Sequence, residues 1–284
     1  SISVPAYYLA SQIGMFVSTV VYVNAGAELA QITSLSGLVS PSVIVSFTLL
    51  GVVPLVAKVL IGVIQRRKRL AAFKKPKRFD ANVVVVGGGS AGLVTSLIVA
   101  GAKAKVVLVE KHRMGGDCLY TGCVPSKSII RSGRIMSYIR RAADYGIVDA
   151  AGKVDFAAVM QRVQGVIETI EPHDSPERFT SLGVECVSGT ARLISPYEVE
   201  VDGKIITTES IVIASGARPF VPHVPGLADI DYLTSDNVWS LTELPPRLLV
   251  VGGGPIGCEL AQAFSHLGSK VTQVDMAARI MPRE

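Results

Sequence analysis

Apolar and polar positions along the chain follow two regimes. From residue 1 to 57 a single charge, Glu28, interrupts a run of apolar and small residues. Residues 42–64 (SVIVSFTLLGVVPLVAKVLIGVI) carry one charge, Lys58, over 23 positions, and about 20 apolar residues at 1.5 Å each cross a bilayer core of roughly 30 Å. Lys58 stands near the end of that run, where its amine can reach headgroups, and Pro54 predicts a kink. An earlier uncharged run, 6–26, is as long but richer in Tyr, Ser, Gln and Asn, and predicts a second span or a helix inside a membrane bundle. A buried soluble helix or a signal peptide competes with this reading. In a signal peptide, however, the basic run precedes the apolar core, and here it follows. Beyond residue 80 the pattern changes. Short β-branched runs at 82–86 (NVVVV), 105–109 (KVVLV) and 247–251 (RLLVV) predict buried parallel strands. Helical spacing predicts helices over 124–143 and 156–182, while 183–201 alternates as strands do and 270–274 (KVTQV) predicts one more strand. The whole predicts an α/β, Rossmann-like protein preceded by helical membrane segments.

Charge sharpens the division. Only 18% of the 284 residues are charged and 49% are hydrophobic, which excludes extended disorder and strains a wholly soluble reading. The net charge is +5, yet residues 1–78 hold nine Lys/Arg against one acid and the remainder is net −3. Eight of those nine fall between Arg66 and Arg78. The basicity is one cluster, which excludes a broad nucleic-acid surface. Following an apolar run it reads as a positive-inside signal, placing the rest on the cytoplasmic side of an integral membrane protein, or as a contact for anionic headgroups of a lipid bilayer. A solvated linker is compatible with both.

The strand at 82–86 opens into GGGSAG, with Gly87, Gly89 and Gly92 at the positions of a GxGxxG turn, then a helical pattern, then a strand ending at Glu110. Glycines there allow a tight turn and close backbone approach, so that a helix N-terminus can hold a pyrophosphate, and the acid can bind ribose hydroxyls. The arrangement recurs about 165 residues later: RLLVV, then GGGPIG with Gly252, Gly254 and Gly257, a helix, and a strand ending at Asp275. Two such units predict two dinucleotides whose rings can meet, the layout hydride transfer needs. A carboxylate at Asp275 favours the free ribose hydroxyl of NADH over the 2′-phosphate of NADPH, with Arg279 nearby as a possible offset.

Between the two lies GGDCLYTGCVPSK, residues 115–127. Cys118 and Cys123 are five apart. On an ideal helix such positions have Cα atoms about 8.6 Å apart, beyond the roughly 7 Å a disulfide tolerates. The pair therefore requires a distorted turn, for which Gly115, Gly116 and Gly122 supply freedom. A strained disulfide at a helix start is easily reduced, and thiolates gain from the helix field. Buried free thiols, a zinc site and a structural disulfide are the other readings. Zinc needs four ligands, and Cys186 and Cys258 stand alone, so no metal is expected. His173 and Asp174 (EPHDSPERF) are read as a surface or interdomain loop rather than as catalytic.

The signature GGxCxxxGCxPSK resembles that of the pyridine nucleotide–disulfide oxidoreductases, among them dihydrolipoamide dehydrogenase, glutathione reductase and mercuric reductase, and the resemblance runs from about residue 81 to 284. It implies FAD and NAD(P)H as cofactors, NADH favoured, and electron flow from NAD(P)H through FAD to a Cys118–Cys123 disulfide and on to a small disulfide or soft-metal acceptor. It implies Cys118 as the interchange thiol, Cys123 as the thiol against the flavin, and Lys127 near the flavin, paired with Glu259. It also implies FAD contacts from Gly87, Gly89, Ser90, Ala91, Gly92, Glu110, Lys111 and Gly116. Further contacts are implied from the GxA of Gly189 and Ala191 and from Ser215 and Gly216 of IVIASGARP. The NAD(P)H contacts implied are Gly252, Gly254, Ile256, Gly257 and Asp275. Asp117, Tyr120 and Ser215 depart from the family's usual residues. The family's acid–base His comes from a C-terminal dimerisation domain of a partner subunit. A homodimer is therefore implied, through a domain expected beyond residue 284.

Residues 16–32 (FVSTVVYVNAGAELAQI) and the apolar helix after them resemble the C-terminal end of the DedA-like membrane family. The expected organisation is thus membrane helices at 1–65, a basic linker at 66–80, an FAD domain at 81–222 and the start of an NAD(P) domain at 223–284. Two alternatives stay open: mercuric reductase proper, and a DedA-like transport or lipid-handling protein with a flavoprotein redox sensor.

Overall fold

The computed structural model describes residues 4–30 and 41–281, and within the first two helices only part of the side chains. It divides into two compact units, Ser1–Lys74 and Lys75–Glu284.

The first unit holds α1 (Val4–Ala30) and α2 (Pro41–Leu70). The first residues of the expected linker are helical: α2 runs on through Arg66–Leu70, because Lys and Arg are good helix formers and cations suit a helix C-terminus. Among the described residues, no helix is long and apolar enough to cross a membrane. The runs at 6–26 and 42–64 thus form helices as expected, without support as bilayer spans. α2 is continuous through Pro54 and Lys58. The described apolar side chains of both helices stand free, as at Phe16 (69% exposed), Leu55 and Val59 (65% each). Gln31 and Ile32, the end of the DedA-like stretch, lie outside the described residues.

The second unit is built on a six-stranded sheet. Its order is β3 (Val184–Ser188), β2 (Val106–Glu110), β1 (Ala81–Val86), β6 (Lys204–Ile213), β5 (Glu198–Val201) and β4 (Ala191–Ser195). β3, β2, β1 and the end of β6 run parallel, with Val84 opposite Val107 and Ile211. The start of β6 pairs antiparallel with β5, and β5 with β4. One ten-residue strand therefore belongs to both a parallel sheet and a small meander. The β-branched runs are apolar throughout because both sheet faces are covered. Val84, Val107 and Val109 pack with Val199 and Ile206 on one side, and Val85, Leu108 and Val106 with Leu93 of α3 (Ser90–Gly101) and Phe179 of α7 (Pro176–Ser181) on the other.

A third core joins α4 (Gly116–Tyr120), α5 (Cys123–Arg140), α6 (Phe156–Ile170) and α8 (Pro255–Leu267) around Leu119, Ile129, Val163, Trp239 and Phe264. α8 links β7 (Arg247–Val251) and β8 (Lys270–Val274), a parallel pair in register Leu249 to Thr272. The single helix expected over 156–182 is broken. A 3₁₀ turn, Glu171–Asp174, separates α6 from α7, since Pro172 and Pro176 each lack an N–H and clash with the preceding turn. The helix expected over 124–143 ends at Arg140, followed by a 3₁₀ turn, Ala142–Tyr145.

Candidate active site

The first loop turns as its glycines require. Gly87 has φ +108, and a Cβ on it would run into the carbonyl of Ala214. Gly92 is buried one turn into α3, and a Cβ there would overlap the carbonyl oxygen of Gly87. α3 starts from Gly89 in extended conformation with no side-chain cap, so its first N–H groups face the cleft available to a phosphate. Glu110 is fixed by two backbone donors, Gly88 N–H to Oε2 at 2.6 Å and His112 N–H to Oε1 at 2.8 Å.

A cleft of about 1130 Å³ opens here, ample for a dinucleotide by comparison with ordinary ligand pockets of roughly 300–1,000 Å³. Of the residues expected to hold FAD, Gly87, Gly89, Ser90, Ala91, Glu110, Lys111, Gly116, Gly189, Ala191, Ser215 and Gly216 line it, together with Cys118. Gly92 lies beneath the loop. Cys123 and Lys127 are not part of the lining. Arg113, Tyr120, Arg218 and Asp236 also line the cleft. Sequence reasoning assigned them no cofactor role, because no spacing marks them. Gly116, at φ +56, crosses so close to Gly89 that a Cβ would sit 2.6 Å from its Cα. The cysteine turn thus lies directly on the phosphate loop, and the residues present fit FAD.

The cysteine turn resolves the spacing problem in a specific way. One helix does not carry both sulfurs. α4 stops at Tyr120, Thr121 and Gly122 leave helical geometry at φ −132 and −125, and Cys123 begins α5. Gly122 is needed because a Cβ would come within 2.9 Å of the carbonyl of Asp117. Both thiols are free, Cys118 half-buried and Cys123 exposed. The neighbouring Cys118 sulfur, and then burial, push the Cys123 thiol up from its ordinary range, while Lys127 draws it down. The expected benefit of a helix start is therefore outweighed at Cys123.

Around the pair, Tyr120 donates to Glu171 Oε1 at 2.7 Å, and its phenol is pushed up to about 12 by burial and by that carboxylate. Lys127 Nζ donates to both carboxylate oxygens of Glu259 at 2.8 Å, joining α5 to α8 as expected. Both side chains are half-exposed, so the pair orients more than it stabilises.

The second loop repeats the first. Gly252 has φ +119, and a Cβ on Gly257 would meet the Gly252 carbonyl. Gly254 starts α8 in extended conformation and Ile256 lies exposed in its first turn. Asp275 accepts from Gly253 N–H at 2.5 Å and Ala277 N–H at 2.6 Å, which together hold its carboxyl below the usual range. Glu110 and Asp275 are thus equivalent acids, each tied to the second glycine of its loop 22 residues upstream. His173 is exposed, Asp174 is half-buried with its carboxyl raised by burial, and both belong to the 3₁₀ turn. Among the described residues no cluster of three His, Cys, Asp or Glu could hold a metal.

Two dinucleotide loops with a cysteine pair in a turn laid on the first define a two-nucleotide flavoprotein oxidoreductase. The chain belongs to the pyridine nucleotide-disulphide oxidoreductase family, whose family model matches residues 81–284; the family uses FAD and NAD(P)H. It is 32% identical over 203 residues to a mercuric reductase of Bacillus cereus, covering 72% of this chain and 32% of that protein. It is 33% identical over 209 residues to a dihydrolipoyl dehydrogenase of Acholeplasma laidlawii, covering 72% and 62%. The HOCl-induced flavoprotein disulfide reductase RclA from Escherichia coli superposes with a TM-score of 0.61 at 29% identity, covering 72% of this chain and 44% of that one. The chain spans between a third and about three-fifths of the length of these relatives. The matched residues begin at 81, so the DedA likeness of the first unit finds no support among them.

Proposed function

We propose that this protein is a FAD-dependent NAD(P)H:disulfide oxidoreductase in which Cys118 and Cys123 form the redox couple. The observation that carries it is the placement of Cys118 and Cys123 on either side of a broken turn laid on the dinucleotide loop. When bound, FAD supplies the two-electron relay between nicotinamide and sulfur. The residues of the chain do the rest. The Cys118 thiolate attacks one sulfur of an acceptor disulfide, forming a mixed disulfide and expelling the first acceptor thiolate. Cys123 then attacks the Cys118 sulfur, expels the second thiolate and closes the Cys118–Cys123 disulfide. Two electrons and two protons, supplied as the hydride of NAD(P)H and one solvent proton, return the pair to the dithiol. Lys127, clamped by Glu259 between α5 and α8, would meet the nicotinamide. A homodimer partner supplying the acid–base group belongs to the same proposal. A soft metal ion is the second acceptor reading, favoured by the likeness to mercuric reductase. Mercuric-ion-dependent NADPH oxidation by the full-length protein separates it from disulfide reduction.

Asp275 supports NADH as the donor. Its carboxylate, held at the end of β8 by Ala277 and Gly253 N–H, would bind an adenosine ribose hydroxyl and repel a 2′-phosphate. Asp275→Ala is expected to cut the ratio of kcat/KM for NADH over NADPH by about tenfold, the worth of one charged hydrogen bond. An unchanged ratio in steady-state assays with both nucleotides would remove Asp275 from coenzyme choice.

The bilayer remains a proposed partner of the first unit, with the redox unit on the cytoplasmic side. The apolar run 42–64 followed by the Arg66–Arg78 cluster supports this, as do the exposed apolar side chains of α1 and α2. The full-length protein is expected to sediment with membranes and to resist carbonate extraction. Recovery in the supernatant counts against anchoring.

A further inference from the structure

Three consecutive residues between the two cysteines are each fastened to a different part of the fold. Leu119 is buried in the core of α5, α6 and α8, 1% exposed. Tyr120 lies under the guanidinium of Arg113, 3.7 Å from the ring centroid, and its hydroxyl donates to Glu171 at the end of α6. The carbonyl of Thr121 accepts from the indole Nε1 of Trp239 at 2.9 Å. Leu119 faces that core, whereas the Tyr120 side of the turn faces open space. A second cavity of about 630 Å³ lies there, lined by Leu108, Met114, Pro172, Asp174 and Cys186 among others, and Arg113 and Tyr120 line both it and the cofactor cleft. On that side the turn is held by the Arg113 and Glu171 contacts of Tyr120. The Tyr120 tether does not titrate in the working range, because burial and Glu171 keep the phenol protonated up to about pH 12.

We propose that Tyr120, through its bond to Glu171, is the positioning residue that holds Cys118 against Cys123 and so sets how readily the pair closes into a disulfide. This rests on the redox reading of the two cysteines. Closure by glutathione disulfide balances as dithiol plus one glutathione disulfide giving the intramolecular disulfide plus two glutathione thiols. Its equilibrium constant is the effective concentration of one thiol at the other. With the tether cut, α4 relaxes toward the rear cavity, that concentration drops, and the disulfide becomes easier to reduce.

The test is a redox equilibration of the purified full-length holoprotein in graded glutathione buffers, trapped by acid and read as oxidised fraction of the peptide containing Cys118 and Cys123 by mass spectrometry. Tyr120→Phe keeps the ring and the Arg113 stack. It is expected to lower the constant about tenfold, raising the potential by about 30 mV. Glu171→Ala is expected to give the same shift and carries the test alone if Tyr120→Phe does not fold. The double variant is expected to go no further than either single change. An unchanged constant in the single variants, a shift of opposite sign, or additive shifts overturn the positioning role while leaving the redox couple standing. A wild-type pair that never closes at any glutathione ratio overturns the couple itself.

Discussion

Cys118→Ser is expected to lower NADH-dependent reduction of a disulfide acceptor at least about 10³-fold, the scale of loss when a reacting nucleophile is removed. NADH-dependent reduction of ferricyanide should stay within about threefold of wild type, because a one-electron dye takes its electrons without needing the thiols. Cys123→Ser separates the two sulfurs. Cys118 can still attack, but nothing resolves the mixed disulfide, so one acceptor thiol per chain should be found covalently attached to Cys118 by mass spectrometry. Cys118 lines the cleft and Cys123 starts the next helix outside it. Retained disulfide turnover in Cys118→Ser would remove the pair from the reaction whatever its geometry. Loss of both the disulfide and the ferricyanide activities would indicate damage to the nucleotide sites rather than loss of a nucleophile.

Gly92→Ala is expected to abolish stable flavin binding and to cost about 3 kcal/mol of stability, the upper part of the range for forced overpacking. The new Cβ would overlap the Gly87 carbonyl and come within 3.4 Å of the Val85 side chain. All are backbone or core atoms with nowhere to move. Gly101, the last residue of the same helix, meets nothing within 4 Å. Gly101→Ala is therefore the control and should be neutral or stabilising by up to about 1 kcal/mol through helix propensity. Flavin-to-protein absorbance after gel filtration and urea midpoints read both. Normal flavin retention in Gly92→Ala would show that the turn relaxes more freely than its contacts allow.

Much of the second unit is legible from residue pattern alone because each decisive signal is local. β7 and β8 fall on the residues expected of them, and β1 and β2 within one residue. An uninterrupted β-branched run admits few other conformations, and a glycine triplet between strand and helix specifies its own turn. The two terminal acids were legible for the same reason. Less local features were not. Proline punctuation inside 156–182 outweighs the apolar periodicity that predicts one helix, and the 3₁₀ turn this creates is what brings Glu171 to Tyr120. Apolar content at 6–26 and 42–64 predicts helices correctly. Whether such helices meet lipid depends on their surroundings, which composition does not encode.

By itself, then, the chain specified two nucleotide loops, their acids and a pair of cysteines that cannot bond on an undistorted helix, since all of these follow from backbone sterics within a few residues. Tertiary structure alone decided how that conflict ends: a break at Thr121 and Gly122 between two helices, tethered from Arg113, Glu171 and Trp239. Contacts between residues 51 and 118 positions apart in sequence arise only once α6 and the segment around Trp239 have packed against the turn, and no local pattern announces them.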